Sequence, residues 1–235
     1  MSSKHLATGD FLPDLTKDKI TLFSMLFCPF AQRVRLILEY KGLDYKVVNV
    51  NLKSKPDWLV QLNPKSEVPI LYIDGAFISG SVEICDFLDE KYPEPSLYAN
   101  IVDKSNESSL VSNVSPLIAL YYKAAWKKDD KSFEEHMNGM KPHLEELENK
   151  LKDSDFLGGN SPKFADFMIW PWFERAEVLS MTYNEKLPYN KFPMLTKWCE
   201  NMKKQECVSK VLIEPIRHHK AAQFHLGAPP LYDEI

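Results

Sequence analysis

Residues 92–95 read Tyr-Pro-Glu-Pro, and two prolines in four residues divide this 235-residue chain into unlike parts. Proline has no amide hydrogen to give and clashes with the preceding turn, so a helix that meets such a pair stops there. Upstream, short β-branched and aromatic runs alternate with helical patterns. Downstream, every apolar repeat has helical spacing and no strand is expected. The organisation read from this is an N-terminal arm over residues 1–18, a mixed domain over 19–92, a linker over 93–105 and an all-helical domain over 106–235.

The mixed part has a definite order. Residues 19–25 (KITLFSM) have the composition of a strand, and Cys28-Pro29-Phe30 then opens a helix. Proline suits the first helical turn, the apolar face runs through Val34, Leu36, Ile37 and Leu38, and Gly42 ends the helix. Residues 44–52 form a second strand. Strand, helix and strand in so few residues imply a parallel pair with a right-handed crossover. A helical turn follows over 57–62, then two strands over 68–73 and 76–78 joined by Asp74-Gly75, a hairpin signal. Ser81 is expected to cap an amphipathic helix over 82–91. Beyond the linker the helices are read over 107–128, 131–152, 164–180, 191–206 and 208–224, the third apolar on nearly every face and interrupted by Pro171.

Composition removes several functions. Residues 1–96 carry 11 basic and 13 acidic side chains and residues 97–235 carry 18 and 20, so no basic half or stripe marks a nucleic-acid partner. The 8 glycines form neither G-x-G-x-x-G nor G-x-x-x-x-G-K-[ST], which argues against nucleotide-driven chemistry. No apolar stretch approaches the ~20 residues of a membrane span, and no apolar signal segment opens the chain. The compartment expected is the cytoplasm. Cys28, Cys85, Cys199 and Cys207 include no C-x-x-C pair and have no histidine at a zinc spacing, so no metal is expected. In a reducing compartment a cysteine that matters is reactive rather than bridged.

Cys28 stands where the chemistry favours reactivity. A helix N-terminus offers unpaired N–H groups and a positive dipole end, both of which stabilise a thiolate. A cysteine at the start of the first helix of a βαβ–ββα unit is the thioredoxin-like arrangement, and Val68-Pro69 stands where that fold carries a cis proline facing the cysteine. Three residues on, a dithiol enzyme has a second cysteine; here Ala31 stands there. Cys28 can therefore form a mixed disulfide that an external thiol must resolve, and the abundant cytosolic thiol is glutathione. Cys85, Cys199 and Cys207 read as packed, inert thiols.

A thioredoxin-like domain, a proline linker and an all-helical domain together resemble the glutathione transferases. Met25-Leu26-Phe27-Cys28-Pro29-Phe30-Ala31-Gln32-Arg33 is similar to the omega class of that family, as are Asn51 to Trp58, Val68-Pro69, Phe87 to Pro93 and Ile169 to Arg175. The resemblance spans residues 5–225, and its opening segment looks insect-like. It implies glutathione as co-substrate, with Cys28 as nucleophile and a glutathione site at Phe30, Lys55, Val68, Pro69, Gly80 and Ser81. Lys55 would approach the glycyl carboxylate, Val68 would offer its main chain like an added strand, and Ser81 would hold the γ-glutamyl carboxylate. Trp172, Arg175 and His218 are candidates for the pocket of a small electrophilic or oxidised substrate. Thiol transfer and dehydroascorbate reduction are implied, with weak conjugation, in a homodimer.

Two departures from the family pattern stand out. The residue before the binding serine is Glu in the family, where it pairs with the γ-glutamyl ammonium; here it is Gly80. Loss of a charge-assisted bond of ~1.5–3 kcal/mol implies weaker glutathione binding, which Gly80→Glu should restore. Glu83 could supply a compensating carboxylate, but it lies one turn further on and is expected to point elsewhere. The second departure is Lys163, where the family has the Ser or Thr of a capping box with Asp166; Ser161-Pro162 offers another helix start. Two rival functions remain open: a non-enzymatic interaction protein on this fold, as in the intracellular chloride channel family, and an insect pigment-pathway enzyme acting on pteridines.

Overall fold

The computed structural model describes residues 4–98, 101–227 and 231–235. These fall into two compact units. The first runs to Pro95 and also takes in the tail residues 231–235, and the second begins at Ser96 and runs through Gly227.

The first unit contains β1 (His5–Leu6), β2 (Ile20–Ser24), α1 (Pro29–Tyr40), β3 (Tyr45–Val50), α2 (Leu59–Leu62), β4 (Ile70–Ile73), β5 (Ala76–Ser79) and α3 (Ser81–Lys91). Its sheet has the order β1-β3-β2-β4-β5. β3 pairs in parallel with β1 and β2, with Leu22 opposite Val47, as the crossover through α1 requires. β4 runs antiparallel to β2, with Phe23 opposite Ile70, and β5 returns antiparallel to β4. The hairpin turns on Asp74 (φ 53°) and Gly75 (φ 87°), the two left-handed residues of a type I′ turn. β1 falls within the stretch read as an arm. Two residues are too few for a periodic signal, and the strand exists because His5 and Leu6 find Asn49 and Val50 on the edge of the sheet.

Helix α1 packs beside α3, and Leu22, Phe23, Val34, Ile37, Ile70, Leu71, Ile84, Cys85 and Leu88 are wholly buried. The C-terminus of α1 closes as a Schellman motif: Gly42 N–H reaches Glu39 O (3.1 Å) and Leu43 N–H reaches Leu38 O (3.0 Å), with Gly42 at φ 62°. Gln32, Arg33 and Arg35 of this helix are buried too. The Lys41 ammonium sits inside the fold and donates to Asp89 Oδ1 (2.7 Å), Tyr92 O (2.7 Å) and Pro95 O (3.0 Å), tying α1 to the end of α3 and the proline segment.

The tail departs from the reading that placed it in a helical domain over 106–235. Asp233 accepts the His5 backbone N–H (2.9 Å) and pairs with His5 Nδ1 (2.6 Å), and the Tyr232 ring lies 5.1 Å from the His5 ring. A buried histidine on β1 attracts the carboxylate, and the chain's last residues follow it.

The second unit contains α4 (Ile101–Asn113), α5 (Ser115–Ala125), α6 (Phe133–Lys150), α7 (Phe164–Glu174), α8 (Glu177–Tyr183), α9 (Pro193–Lys203), α10 (Glu206–Val211) and α11 (Pro215–Gln223). No named strand occurs among its described residues. Three helices read as continuous are broken. Pro116 and Pro215 each sit in the first turn of a new helix, and α7 ends at Glu174 with Arg175 as its C-cap. α7 is buried almost throughout, and Trp170 meets Trp198 edge-on at 6.0 Å. Its N-cap is Lys163 rather than Ser161, because Asp166 accepts the Lys163 N–H (2.9 Å). A lysine ammonium has no lone pair with which to return that bond, and it donates instead to Ser96 O (3.1 Å). Among the described residues no helix is long and apolar enough to cross a membrane.

Candidate active site

Cys28 is the N-cap of α1, with extended backbone (φ −77°, ψ 119°) and Pro29 following as the first helical residue. Its N–H donates to Met25 O (2.9 Å), and its carbonyl accepts the Gln32 N–H (3.0 Å), the first bond of the helix. The loop before it is pinned from both sides at Leu26. The Leu26 N–H donates to His5 Nε2 (3.3 Å), and the Leu26 carbonyl accepts from Arg35 Nη2 (2.7 Å). Since Nε2 receives a hydrogen, the His5 ring proton lies on Nδ1 and points to Asp233. Arg35 and His5 are both buried, so this support is held within the first unit.

A cleft of about 690 Å³ opens at Cys28. Phe30 stands at its mouth, 39% exposed, with the Arg33 guanidinium 5.3 Å from its ring centre. Lys55 lines the cleft from the β3–α2 segment, where its carbonyl accepts from Thr8 Oγ1 (2.9 Å) and its side chain is exposed. Val68 and Pro69 form another wall, joined by a cis peptide bond. Ladder pairing of β4 with β2 begins only at Ile70, which leaves the Val68 main chain outside the ladder, beside the cleft. Gly80 and Ser81 line it as well. The cleft therefore gathers Cys28, Phe30, Lys55, Val68, Pro69, Gly80 and Ser81.

Ser81 differs from its expected place. It is the first residue of α3, and Gly80 (φ 95°) is the N-cap. The Ser81 hydroxyl oxygen accepts from Arg33 Nη1 (3.2 Å), an arginine buried under the helix start. With that lone pair engaged, the hydroxyl keeps its own hydrogen to donate.

The segment 63–67, absent from the sequence reading, also lines the cleft. Asn63 organises it: Oδ1 accepts the Lys65 N–H (3.1 Å), Nδ2 donates to Glu67 O (3.0 Å), and Ser66 adopts φ 50°. The dipeptide Asn63-Pro64 is a turn signal that could have flagged this loop. Glu83 lines the cleft as well.

Trp172, Arg175 and His218 are buried within the second unit. Trp172 borders an apolar cavity of about 80 Å³ with Leu117 and Met140. Arg175 Nη1 donates to Pro171 O (2.6 Å). His218 is 3% exposed and its Nε2 meets Glu174 Oε1 (2.9 Å), whose other oxygen accepts from Trp170 Nε1 (3.0 Å). Among the other cysteines, burial pushes the Cys85 thiol far up, with Arg33 opposing, and pushes Cys199 up to about 12. Cys207 is buried, and no disulfide forms among the described residues.

A sheet of this order with helices packed on it, followed by an all-helical unit, is the thioredoxin-like plus helical fold of glutathione transferases. The family model described as "Glutathione S-transferase, N-terminal domain" matches residues 22–96, and "Glutathione S-transferase, C-terminal domain" matches 130–201. The chain is 36% identical over 221 residues to pyrimidodiazepine synthase of Drosophila melanogaster, covering 91% of this chain and 89% of that protein. It is 34% identical over 235 residues to glutathione S-transferase omega-1 of Mus musculus, covering 97% and 95%. Among solved structures it resembles glutathione transferase Omega 3C from Trametes versicolor, with TM-score 0.78, 20% identity and coverage of 90% and 91%. The chain belongs to the glutathione transferase family, in its omega class.

Proposed function

We propose that this protein is a glutathione-dependent thiol transferase and dehydroascorbate reductase whose nucleophile is Cys28. The observation that carries the reading is the meeting, in one cleft, of a cysteine at a helix N-terminus, a cis proline, an exposed lysine and a serine opening a second helix. A hydroxyl at position 28 could only steady a glutathione thiolate, whereas a cysteine thiolate can itself attack sulfur.

In thiol transfer the Cys28 thiolate attacks the glutathione sulfur of a mixed disulfide. The Cys28–glutathione bond forms, and the substrate leaves as a thiolate that takes up a proton. A second glutathione thiolate then attacks the glutathione sulfur on Cys28, giving glutathione disulfide and restoring the Cys28 thiolate. For dehydroascorbate the sum is two glutathione molecules oxidised to one disulfide, with two electrons and two protons passed to the substrate. The surroundings would be a reducing compartment rich in glutathione, and the assembly a homodimer.

Hydroxyethyl disulfide with glutathione gives a direct assay. Cys28→Ala should abolish turnover while leaving the fold intact by circular dichroism. Full activity in that variant would overturn the assignment, and an inactive wild-type protein would favour a binding role. A second reading, pyrimidodiazepine synthesis, is favoured by the 36% identity to the Drosophila enzyme. Running both substrates on the same preparation separates the two activities.

A further inference from the structure

The site described above combines a missing carboxylate with one that lies out of place. Position 80 has no side chain, yet the space beside it is filled. A Cβ added to Gly80 would stand 2.7 Å from the Glu83 carboxyl carbon, with a carboxylate oxygen nearer still. Glu83 therefore curls back along the first turn of α3 and sets its carboxylate over the Gly80 backbone, against the expectation that it points elsewhere. Among the described residues no ion pair or hydrogen bond holds it there. Its carboxylate borders the same cleft as Ser81 and Cys28.

We propose that Glu83 is the specificity residue that selects a donor thiol carrying a free α-ammonium, a role the family pattern gives to position 80. The inference rests on the glutathione reading of the cleft. The end of the cleft at α3 has two chemical halves. Ser81 has an O–H to donate, and the helix N-terminus with buried Arg33 behind it favours a carboxylate. Glu83 supplies the negative charge beside it. An α-amino acid head presents a carboxylate and an ammonium on one carbon, so it meets both halves together. Lys55 and Lys65, on the other walls, suit the remaining carboxylate of a γ-glutamyl peptide.

This changes what Gly80→Glu should do. At φ 95° an L side chain is strained, and it would enter space that Glu83 holds. The single substitution should leave glutathione binding no tighter.

The test compares binding of glutathione and its des-amino analogue, in which hydrogen replaces the α-ammonium, to the full chain. The wild type should prefer glutathione by about tenfold, the worth of one charge-assisted hydrogen bond at an exposed site. Glu83→Gln should weaken glutathione by about that factor, leave the analogue unchanged and bring the ratio near one. A helix-terminal role for Glu83 would lower the melting temperature but leave the ratio intact, and that result overturns the proposal. So does a tenfold tightening by Gly80→Glu alone. If the wild type binds neither peptide, the glutathione reading itself falls. If it binds glutathione and Glu83→Gln keeps the preference, only the role of Glu83 falls.

Discussion

Glu107 shows what burial does to a single carboxylate. It lies on α4, is 7% exposed, and accepts the Ala165 N–H at 2.7 Å, at the start of α7. Burial raises its pKa to about 7; the Ala165 bond opposes this, while Asp166 and Asp103 add to it. For an acid whose folded pKa is raised, the folded state binds more protons than the unfolded chain between the two values, so stability falls as pH rises through that window. This group should thus lower the melting temperature as pH rises from about 4.5 to about 7, and Glu107→Gln should reduce that fall by a few degrees. A slope unchanged in the variant would assign the pH dependence elsewhere. At this scale the sequence is uneven to read. Cys28, Pro29 and Pro69 are legible because their meaning is local: a proline beside a cysteine, a proline opening a strand. The direction of Glu83 is not, since it depends on which rotamer finds room over a glycine. The burial of Arg33, Arg35 and Lys41 is hidden too, because their partners come from residues 26, 81, 89, 92 and 95.

Among the elements, α7 depends most on one side chain. Asp166 is wholly buried and accepts from Leu157 N (2.8 Å), Gly158 N (3.2 Å), Lys163 N (2.9 Å) and Trp198 Nε1 (2.7 Å). It joins the 157–158 turn, the start of α7 and the tryptophan of α9. Burial pushes its pKa up, and the four hydrogen bonds pull the other way. Asp166→Ala would orphan those donors together and should cost about 3 kcal/mol or more, read by urea unfolding. A loss under about 1 kcal/mol would show that water replaces the carboxylate. The apolar run of α7 announces its burial in the sequence, but the breaks at 114, 175–176 and 212–214 do not stand out from a periodicity that continues across them. In the first unit the strands of the βαβ–ββα order are legible because each carries its own pattern and turn. β1 is not, since only its partner makes it a strand.

At the level of the whole molecule, the proline segment marks a change of unit, while the end of the chain returns to the first one. Asp233, His5 and Leu26 form a line from the tail to the loop that carries Cys28. Asp233→Ala removes the acceptor for the His5 Nδ1–H and the His5 main-chain N–H. It should cost about 1–2 kcal/mol and slow thiol transfer several-fold, with helix content unchanged. Equal activity in the variant would show that the loop keeps its place without Asp233. No periodicity in the last residues announces this contact, because one carboxylate and one buried tyrosine ring carry it. In practical handling, His5 and Asp233 bring two segments far apart in the sequence together behind the loop that carries Cys28. A cut or fusion that displaces either segment removes the pairing that supports this loop, so rates taken with and without such a change are not interchangeable.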